Sequence, residues 1–367
     1  MRVCYDYQAF AGRQYGGIAR YFVEIASRIR GYPGTSARIV APLYRSKLLA
    51  EKAELIPVVG VPFTYDIRGA AKVIQRIDSS LSRVLSIACR PNIVHETYHT
   101  RERTSSLSAK TVLTVHDLIE ELFPRLFPQG QKTIAIRKEA FRRADHLICV
   151  SENTRRDLIS LYGIDSEKTS VVYLASSLTR TEPAIAEARE PFFLYVGNRS
   201  GYKNFLGLLA AFAESLLFKT HILVCFGGGR LTPIEQEQIR MLKIPSDRVV
   251  SSRGDDERLS CYYASAEAFV CPSLYEGFGI PLLEAMNCGC PILCGSSGSM
   301  PEVAGEAAIH FDASDTGSIS NAMLKVVESR ETRRRLILRG EARAKQFSWD
   351  TCAKQTYDVY KRLLAEG

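Results

Sequence analysis

Two carboxylates lie eight positions apart in the stretch "PSLYEGFGIPLLEAMNCGCPIL", residues 272–293. Glu276 stands before a glycine-bearing turn, and Glu284 follows Pro281 at the start of an expected helix. Gly277, Phe278, Gly279 and Ile280 lie in between. Proline suits the first turn of a helix, and backbone amides at a helix N-terminus attract anions. Carboxylates repel anions but accept hydrogen bonds from hydroxyls. The combination fits a ligand that carries both, such as a diphosphate with a sugar on one side and a ribose on the other. Taken alone, Glu284 is also explained by the preference of acidic side chains for a first helical turn.

Other polar clusters follow short apolar runs. "QYGGIAR" (14–20) puts Gly16, Gly17 and Arg20 at a helix start, where bare backbone lets a phosphate or sugar approach. A helix start that needs flexible backbone explains the same glycines. "TVLTVHDL" ends in His116 and Asp117, and a strand-end histidine is either a site residue or a hydrogen-bonded core residue. "CVSENTRRDL" supplies Ser151 as a helix N-cap. "YVGNRSGYKNF" brings Arg199 and Lys203 before a helix, two cations suited to a diphosphate or to a basic surface loop. "FGGGR" lacks the G-x-G-x-x-G spacing of dinucleotide sites, and no Walker A sequence occurs. "GDDE" (254–257) has no spaced Asp-x-Asp and suits a helix start. Cys288, Cys290 and Cys294 lack a second pair and a nearby histidine, so no metal site is expected.

These clusters need a frame of alternating strands and helices. Strands are expected at "RVCYDY", "ARIVAP", "NIVHE", "TVLTVH", "HLICVS" and "SVVYL", then at "FFLYVG", "HILVCFGGG", "RVVSS", "EAFVCPS", "CPILCGSS" and "AAIHFD". Ile18, Tyr21, Phe22, Ile25 and Ile29 recur at helical spacing, with Gly31 closing that helix. The polar, proline-bearing stretch 176–191 is the expected linker. A chain of 367 residues holding two such series is an α/β protein of two doubly wound domains. In such sheets ligands collect beyond the carboxyl ends of the strands.

Charge is unevenly placed. Residues 1–190 hold 28 Lys and Arg against 20 Asp and Glu, a balance of +8, while residues 191–367 balance at 20 against 20. A solvated basic face or attraction to an anionic surface both fit. The stretch "RGAAKVIQRIDSSLSRVLSIACR" mixes Ile74, Ile77, Leu81 and Leu85 with Arg76, Arg83 and Arg90. Its apolar spacing suits a helix packed on its own sheet or one meeting a membrane surface. No nucleic-acid motif and no run of eighteen apolar residues is present. The first residues lack a signal-peptide pattern, and the cysteines in apolar runs suit a reducing compartment, so a cytoplasmic chain is expected.

"EGFGIPLLE" resembles the glutamate-x7-glutamate motif of family 4 retaining glycosyltransferases with the GT-B fold. "GGIAR" resembles their acceptor-side glycine loop, "HD" their active-site histidine, and "VGNRSGYKN" their diphosphate loop. "SMPEVAG" is similar to a strand-end segment near the donor, and "FSWDTCAKQTYDVYKRLL" to a final helix that crosses back to the first domain. One departure stands out. Many members carry arginine directly after "VG", where this chain has Asn198, with Arg199 next.

The resemblance implies GT-B architecture, two Rossmann-like domains facing a central cleft. Residues 1–178 would hold the acceptor, with helix 348–367 packing back on them, and residues 190–347 the nucleotide sugar. It implies sugar transfer with retention, without metal or cofactor, the nucleotide sugar being a substrate. His116, Glu276 and Lys203 would be catalytic. Arg199, Lys203, Gly277, Phe278, Gly279, Ile280 and Glu284 would bind the donor, and Gly16, Gly17 and Arg20 would form the acceptor or phosphate-proximal loop. The style is that of bacterial polysaccharide mannosyltransferases, which favours GDP-mannose and a glycan or lipid-linked acceptor in polysaccharide or lipopolysaccharide synthesis. Alternatives are a UDP-hexose-dependent transferase, a GT-B nucleotide-sugar epimerase and a non-catalytic GT-B partner subunit. Peripheral contact with an anionic membrane at its inner face would suit the basic first half, and no nucleic-acid partner is expected.

Overall fold

The computed structural model of the chain describes residues 1–11, 16–63, 70–101, 103–104, 108–181, 190–199 and 201–366, and leaves out the side chains of 70–73, 75 and 76. Gln14 and Tyr15 of the first glycine loop, Ser200, the Arg76 side chain and residues 182–189 of the expected linker lie outside the described residues. The chain forms two compact units, Met1–Leu174 with Ser348–Gly367, and Ala175–Phe347.

The first unit is built on β1 (Arg2–Tyr5), β2 (Ser36–Tyr44), β3 (Val58–Pro62), β4 (Ile93–Glu96), β5 (Lys110–Val115), β6 (His146–Cys149) and β7 (Thr169–Val171). Among the described residues they form one parallel sheet in the order β3-β2-β1-β4-β5-β6-β7. β1 lies between β2 and β4, with Val3 opposite both Ala37 and Ile93. Strand β3 has no counterpart among the expected strands. "PVVGVP" carries a proline at each end and a glycine, composition that marks sheet edges. Gly60 has φ +153°, and a Cβ there would fall 1.7 Å from the Ala41 carbonyl oxygen, so only glycine lets β3 approach β2.

Helix Gly17–Arg30 buries Tyr21, Phe22, Ile25 and Ile29 and ends at Gly31, whereas Ile18 is half-buried. The final helix, Trp349–Ala365, packs on this unit. His95 joins the Tyr360 hydroxyl at 2.5 Å through Nδ1 and the Thr114 hydroxyl at 2.8 Å through Nε2. Arg28 donates to Asp350 at 2.6 Å, and Tyr32 stacks on Tyr357 at 4.3 Å. Helix Ala70–Ala88 turns Ile74 and Leu85 inward, while Ile77, Leu81, Val84 and Ile87 are exposed. The expected packing of Ile77 and Leu81 on the sheet is therefore not observed, because Asp78, Ser82 and Ser86 occupy the buried side instead.

The second unit contains β8 (Phe192–Val196), β9 (Ile222–Phe226), β10 (Val249–Ser252), β11 (Ala268–Cys271), β12 (Ile292–Gly295) and β13 (Ala308–Phe311). They form a parallel sheet in the order β10-β9-β8-β11-β12-β13. Its core includes Phe193, Phe205, Leu208, Phe212 and Leu293, all essentially inaccessible. Each such side chain contributes about 1.5–3 kcal/mol on leaving water. This unit begins at Ala175, before the expected domain limit at 178. The reason is local: Ser260 Oγ donates to the Thr179 carbonyl at 2.7 Å, and Asn287 Nδ2 donates to the Leu178 carbonyl at 3.0 Å.

Candidate active site

In the second sheet the strand order reverses between β8 and β11, and their carboxyl-terminal loops open beside each other. The loop after β8 holds Lys203, and the loop after β11 holds Glu276. Lys203 Nζ donates to Glu276 Oε1 at 2.7 Å, and Ser273 Oγ donates to the same oxygen at 2.5 Å. Burial disfavours the ammonium, but the Glu276 carboxylate together with Tyr202 and Cys271 outweighs it and holds the Lys203 pKa above its ordinary value. The Lys203 charge also lies 5.1 Å from the Tyr202 ring centre. A fixed cation and a fixed carboxylate thus stand together at the carboxyl ends of β8 and β11.

Neighbouring loops hold this pair in place. Ser299, beyond β12, donates to the carbonyls of Glu276 and Phe278, both at 2.9 Å. Asn204 Nδ2 donates to the Ala313 carbonyl beyond β13 at 2.6 Å. Gly279 has φ +95° and caps helix Ile280–Asn287, with Pro281 in the first turn. Gly277 and Phe278 are buried, and Ile280 is half-buried. Glu284 lies in this helix, where Tyr263 Oη donates to its Oε2 at 3.1 Å. "GDDE" starts a helix: Asp255 accepts from the Arg258 amide at 3.0 Å and caps Asp256–Ser265.

Arg199 departs from the expected arrangement. It is buried, and Nε donates to Glu235 at 2.9 Å. Nη1 donates to the Gly227 carbonyl at 3.0 Å, and Nη2 to the carbonyls of Gly228, Gly229 and Arg230 at 3.3, 3.1 and 2.8 Å. All three guanidinium nitrogens are engaged by the protein, so Arg199 does not stand beside Lys203 as a second exposed cation.

In the first unit the equivalent reversal lies between β1 and β4. Asp6 is buried there, accepting from the Thr97 amide at 2.8 Å, the Thr97 hydroxyl at 2.6 Å and Gln8 Nε2 at 2.6 Å. Burial raises its pKa in spite of those bonds. Glu96, buried and bound by Arg143 at 2.6 Å, is pushed up to about 7 by burial, with Arg143 opposing.

His116 follows β5 and shares a small cavity with Tyr98, His99, Asp117 and Arg137. Its Nε2 is buried without a hydrogen-bond partner among the described residues. Burial, then the Arg137 charge, lowers its pKa to about 3, so the imidazole is neutral at working pH. Asp117 ties the loop locally, accepting from the Ile119 amide at 3.3 Å and from Arg137 at 3.4 Å. Ser151 is an N-cap, accepting from the Thr154 amide at 3.0 Å.

Gly16 and Gly17 are exposed at the start of helix Gly17–Arg30, with Arg20 one turn on. Gly16 has φ −177°, open to any residue, and a Cβ there would meet nothing within 4 Å. The fold itself does not require glycine at that position.

Ser273, Ser299, Asn204, Tyr263 and the Asp6 network escape a reading from local pattern. For Ser273, Ser299, Asn204 and Asp6 the one sequence signal is position in the loop after a strand, as for Asp6 in "RVCYDY"; Tyr263, inside helix Asp256–Ser265, has none. The ten cysteines are free, and Cys288, Cys290 and Cys294 are buried. Among the described residues no three His, Cys, Asp or Glu side chains gather as a metal site.

Residues 15–180 match the family described as Glycosyltransferase Family 4, and residues 179–343 match Glycosyl transferases group 1. The chain is 32% identical over 270 residues to the O-antigen chain mannosyltransferase B of Escherichia coli, covering 69% of this chain and 71% of that protein. Among solved structures, sucrose-phosphate synthase of Thermosynechococcus elongatus superposes with a TM-score of 0.80 at 19% identity, covering 100% of both chains. Anabaena HepE in complex with UDP-glucose superposes with a TM-score of 0.78 at 18% identity, covering 99% of this chain and 100% of that one. The superpositions span the chain, and the sequence matches run through both halves: the chain is a GT-B-fold member of glycosyltransferase family 4.

Proposed function

We propose that this glycosyltransferase moves mannose from GDP-mannose to a hydroxyl of a glycan or lipid-linked acceptor in bacterial surface-polysaccharide synthesis, with retention at the anomeric carbon. The observation that carries the reading is the Lys203–Glu276 pair at the reversal point of the second sheet. Lys203 and the amides around Gly277–Ile280 neutralise the donor diphosphate. Glu276 accepts from donor-sugar hydroxyls and Glu284 from the ribose. The preference for mannose rests on the E. coli mannosyltransferase relative. The second unit binds the donor, and the first binds the acceptor through the exposed Gly16 and Gly17 and the half-buried Arg20.

In the transfer, the bond from the anomeric carbon to the diphosphate oxygen breaks with its electron pair leaving on the phosphate. The acceptor oxygen bonds to the same face of that carbon, and its proton passes to the departing phosphate. Stabilising charge on that phosphate is therefore the protein's main task, met by Lys203 and the helix-start amides. Neutral His116, in the first unit, hydrogen-bonds a sugar hydroxyl. No step requires a metal ion.

A thermal-shift series with GDP, UDP and ADP tests the donor. A ligand at 100 times its Kd stabilises by about 2.7 kcal/mol, so GDP should give the largest rise in Tm. A rise with UDP and none with GDP would replace this reading by a UDP-hexose transferase, as the UDP-glucose complex of Anabaena HepE would favour. Silence with all three would favour a non-catalytic subunit, and donor breakdown without acceptor would identify an epimerase or hydrolase.

A membrane surface is the proposed setting. Helix Ala70–Ala88 exposes Ile77, Leu81, Val84 and Ile87 beside Arg83, with Arg90 following, in a half whose net charge is +8. Apolar residues flanked by arginines suit the interface of an anionic bilayer. No described helix is long and apolar enough to cross a membrane.

A further inference from the structure

We infer that Arg199 is a positioning residue for the donor site, holding the glycine run after β9 to the loop after β8 rather than contacting phosphate. The inference rests on the reading that the donor lies at the loop carrying Lys203.

Four consecutive carbonyls, those of Gly227, Gly228, Gly229 and Arg230, converge on one guanidinium. Carbonyl oxygens brought together repel, and a planar cation with five N–H groups is the side chain that can satisfy several at once. The backbone must bend sharply to achieve this. Gly227, Gly228 and Gly229 have φ +80°, +66° and +77°, a region that disfavours any other residue. A Cβ on Gly228 would come within 2.7 Å of the Gly197 carbonyl oxygen and 2.9 Å of Arg199 Nη1. The two loops are therefore interlocked at Gly228, with Arg199 as the bolt.

Glu235 completes the device. Its Oε1 accepts from Arg199 at 2.9 Å, and its Oε2 accepts from the Thr232 amide at 2.6 Å, closing a capping box on helix Pro233–Met241. One carboxylate thus neutralises the buried arginine and anchors the far end of the glycine run. Removing either partner leaves an uncompensated buried charge. The consequence reaches the site along a short path. Lys203 lies four residues beyond Arg199 in the same loop, and the carbonyl of Asn198, beside Arg199, is held by the Tyr195 hydroxyl. Where Arg199 is fixed, the approach of Lys203 to Glu276 is fixed as well.

The test is calorimetric titration of the intact chain with GDP and with UDP, at a temperature well below the melting transition. Parent, Arg199→Lys, Arg199→Met, Glu235→Gln and Lys203→Ala are compared, each with its Tm. Glu235→Gln keeps the shape of the helix cap and touches no ligand in either account. It should still weaken binding of the recognised diphosphate at least tenfold while melting cooperatively. Arg199→Lys should bind no better than Arg199→Met, since a point charge cannot replace the planar fork.

Parental affinity in Glu235→Gln, or rescue of affinity by Arg199→Lys over Arg199→Met, would overturn the inference and return Arg199 to direct phosphate contact or to stability alone. If an arginine variant does not fold, Glu235→Gln decides the matter by the same comparison. Unchanged affinity in Lys203→Ala would instead remove the donor-site reading, a failure distinguishable from that of the bolt.

Discussion

Glutamine in place of Glu276 or Glu284 keeps the side-chain shape and removes its charge, so under the proposed donor reading the two variants separate the ends of the donor. Glu276 binds Lys203 and Ser273, whereas Glu284 accepts from Tyr263 one helix away. Glu276→Gln should lower the rate of sugar transfer yet spare binding of the bare nucleoside diphosphate, and Glu284→Gln should weaken that binding itself. Equilibrium titration beside a transfer assay distinguishes them; identical defects would mean that the carboxylates do not face two ends of one ligand. His116 adds a prediction about pH. With its pKa lowered to about 3, mainly by burial, it stays neutral across pH 5–9. His116→Ala should slow transfer by about 10²-fold, the scale expected when a reacting group is misplaced. The factor should be the same at pH 6 and pH 8, and a pH-dependent factor would show that His116 acts as a titrating base.

At the scale of elements, helix Ala70–Ala88 carries an unusual stripe. Asp78, Ser82 and Ser86 recur every four residues, are buried, and each has a side-chain oxygen without a partner among the described residues. Asp78 accepts from the Leu43 amide at 2.8 Å, but burial pushes its pKa from 3.8 up to about 7, with that amide opposing. A raised folded-state pKa favours the fold while the proton is on. The contribution is complete below about pH 3.8 and disappears as pH rises through about 7. Asp78→Asn should therefore gain on the parent as pH rises, with a larger relative stability at pH 8 than at pH 4.5 in urea unfolding. An equal difference at both values would show that Asp78 does not titrate with folding.

The same scale explains what local pattern conveys. Lys203, Gly279, Pro281 and Glu284 are marked by punctuation within a few residues: a glycine turn, a proline in the first helical turn, an acid behind it. All six strands of the second sheet show themselves as short apolar runs. Arg199 is different, because its partners lie 28 to 36 residues onward, on another strand-end loop and on the helix after it. No neighbour in "YVGNRSGYKNF" signals that its charge is turned inward. β3 is hidden for a related reason: Gly60 breaks its pattern, and the need for glycine comes from Ala41 across the sheet. Helix Ala70–Ala88 shows the limit of periodicity, which finds an apolar stripe without telling which side meets the core.

Across the whole molecule the charge asymmetry has a measurable consequence. If the basic half and the exposed apolar side chains of helix Ala70–Ala88 meet lipid, the chain should bind vesicles containing phosphatidylglycerol and not vesicles of phosphatidylcholine alone. Binding should fade as salt rises past 0.15 M, where the Debye length is about 8 Å. Binding that ignores salt and headgroup charge would assign the basic excess to a solvated face. The central claim lies in the other unit: the loops after β8 and β11 hold the donor's diphosphate, with Lys203 as its cation. It is tested most directly by titrating GDP into the parent and into Lys203→Ala. A charge-assisted contact contributes about 1.5–3 kcal/mol, so affinity should fall by roughly 10- to 150-fold with Tm little changed. Affinity within twofold of the parent would contradict the account.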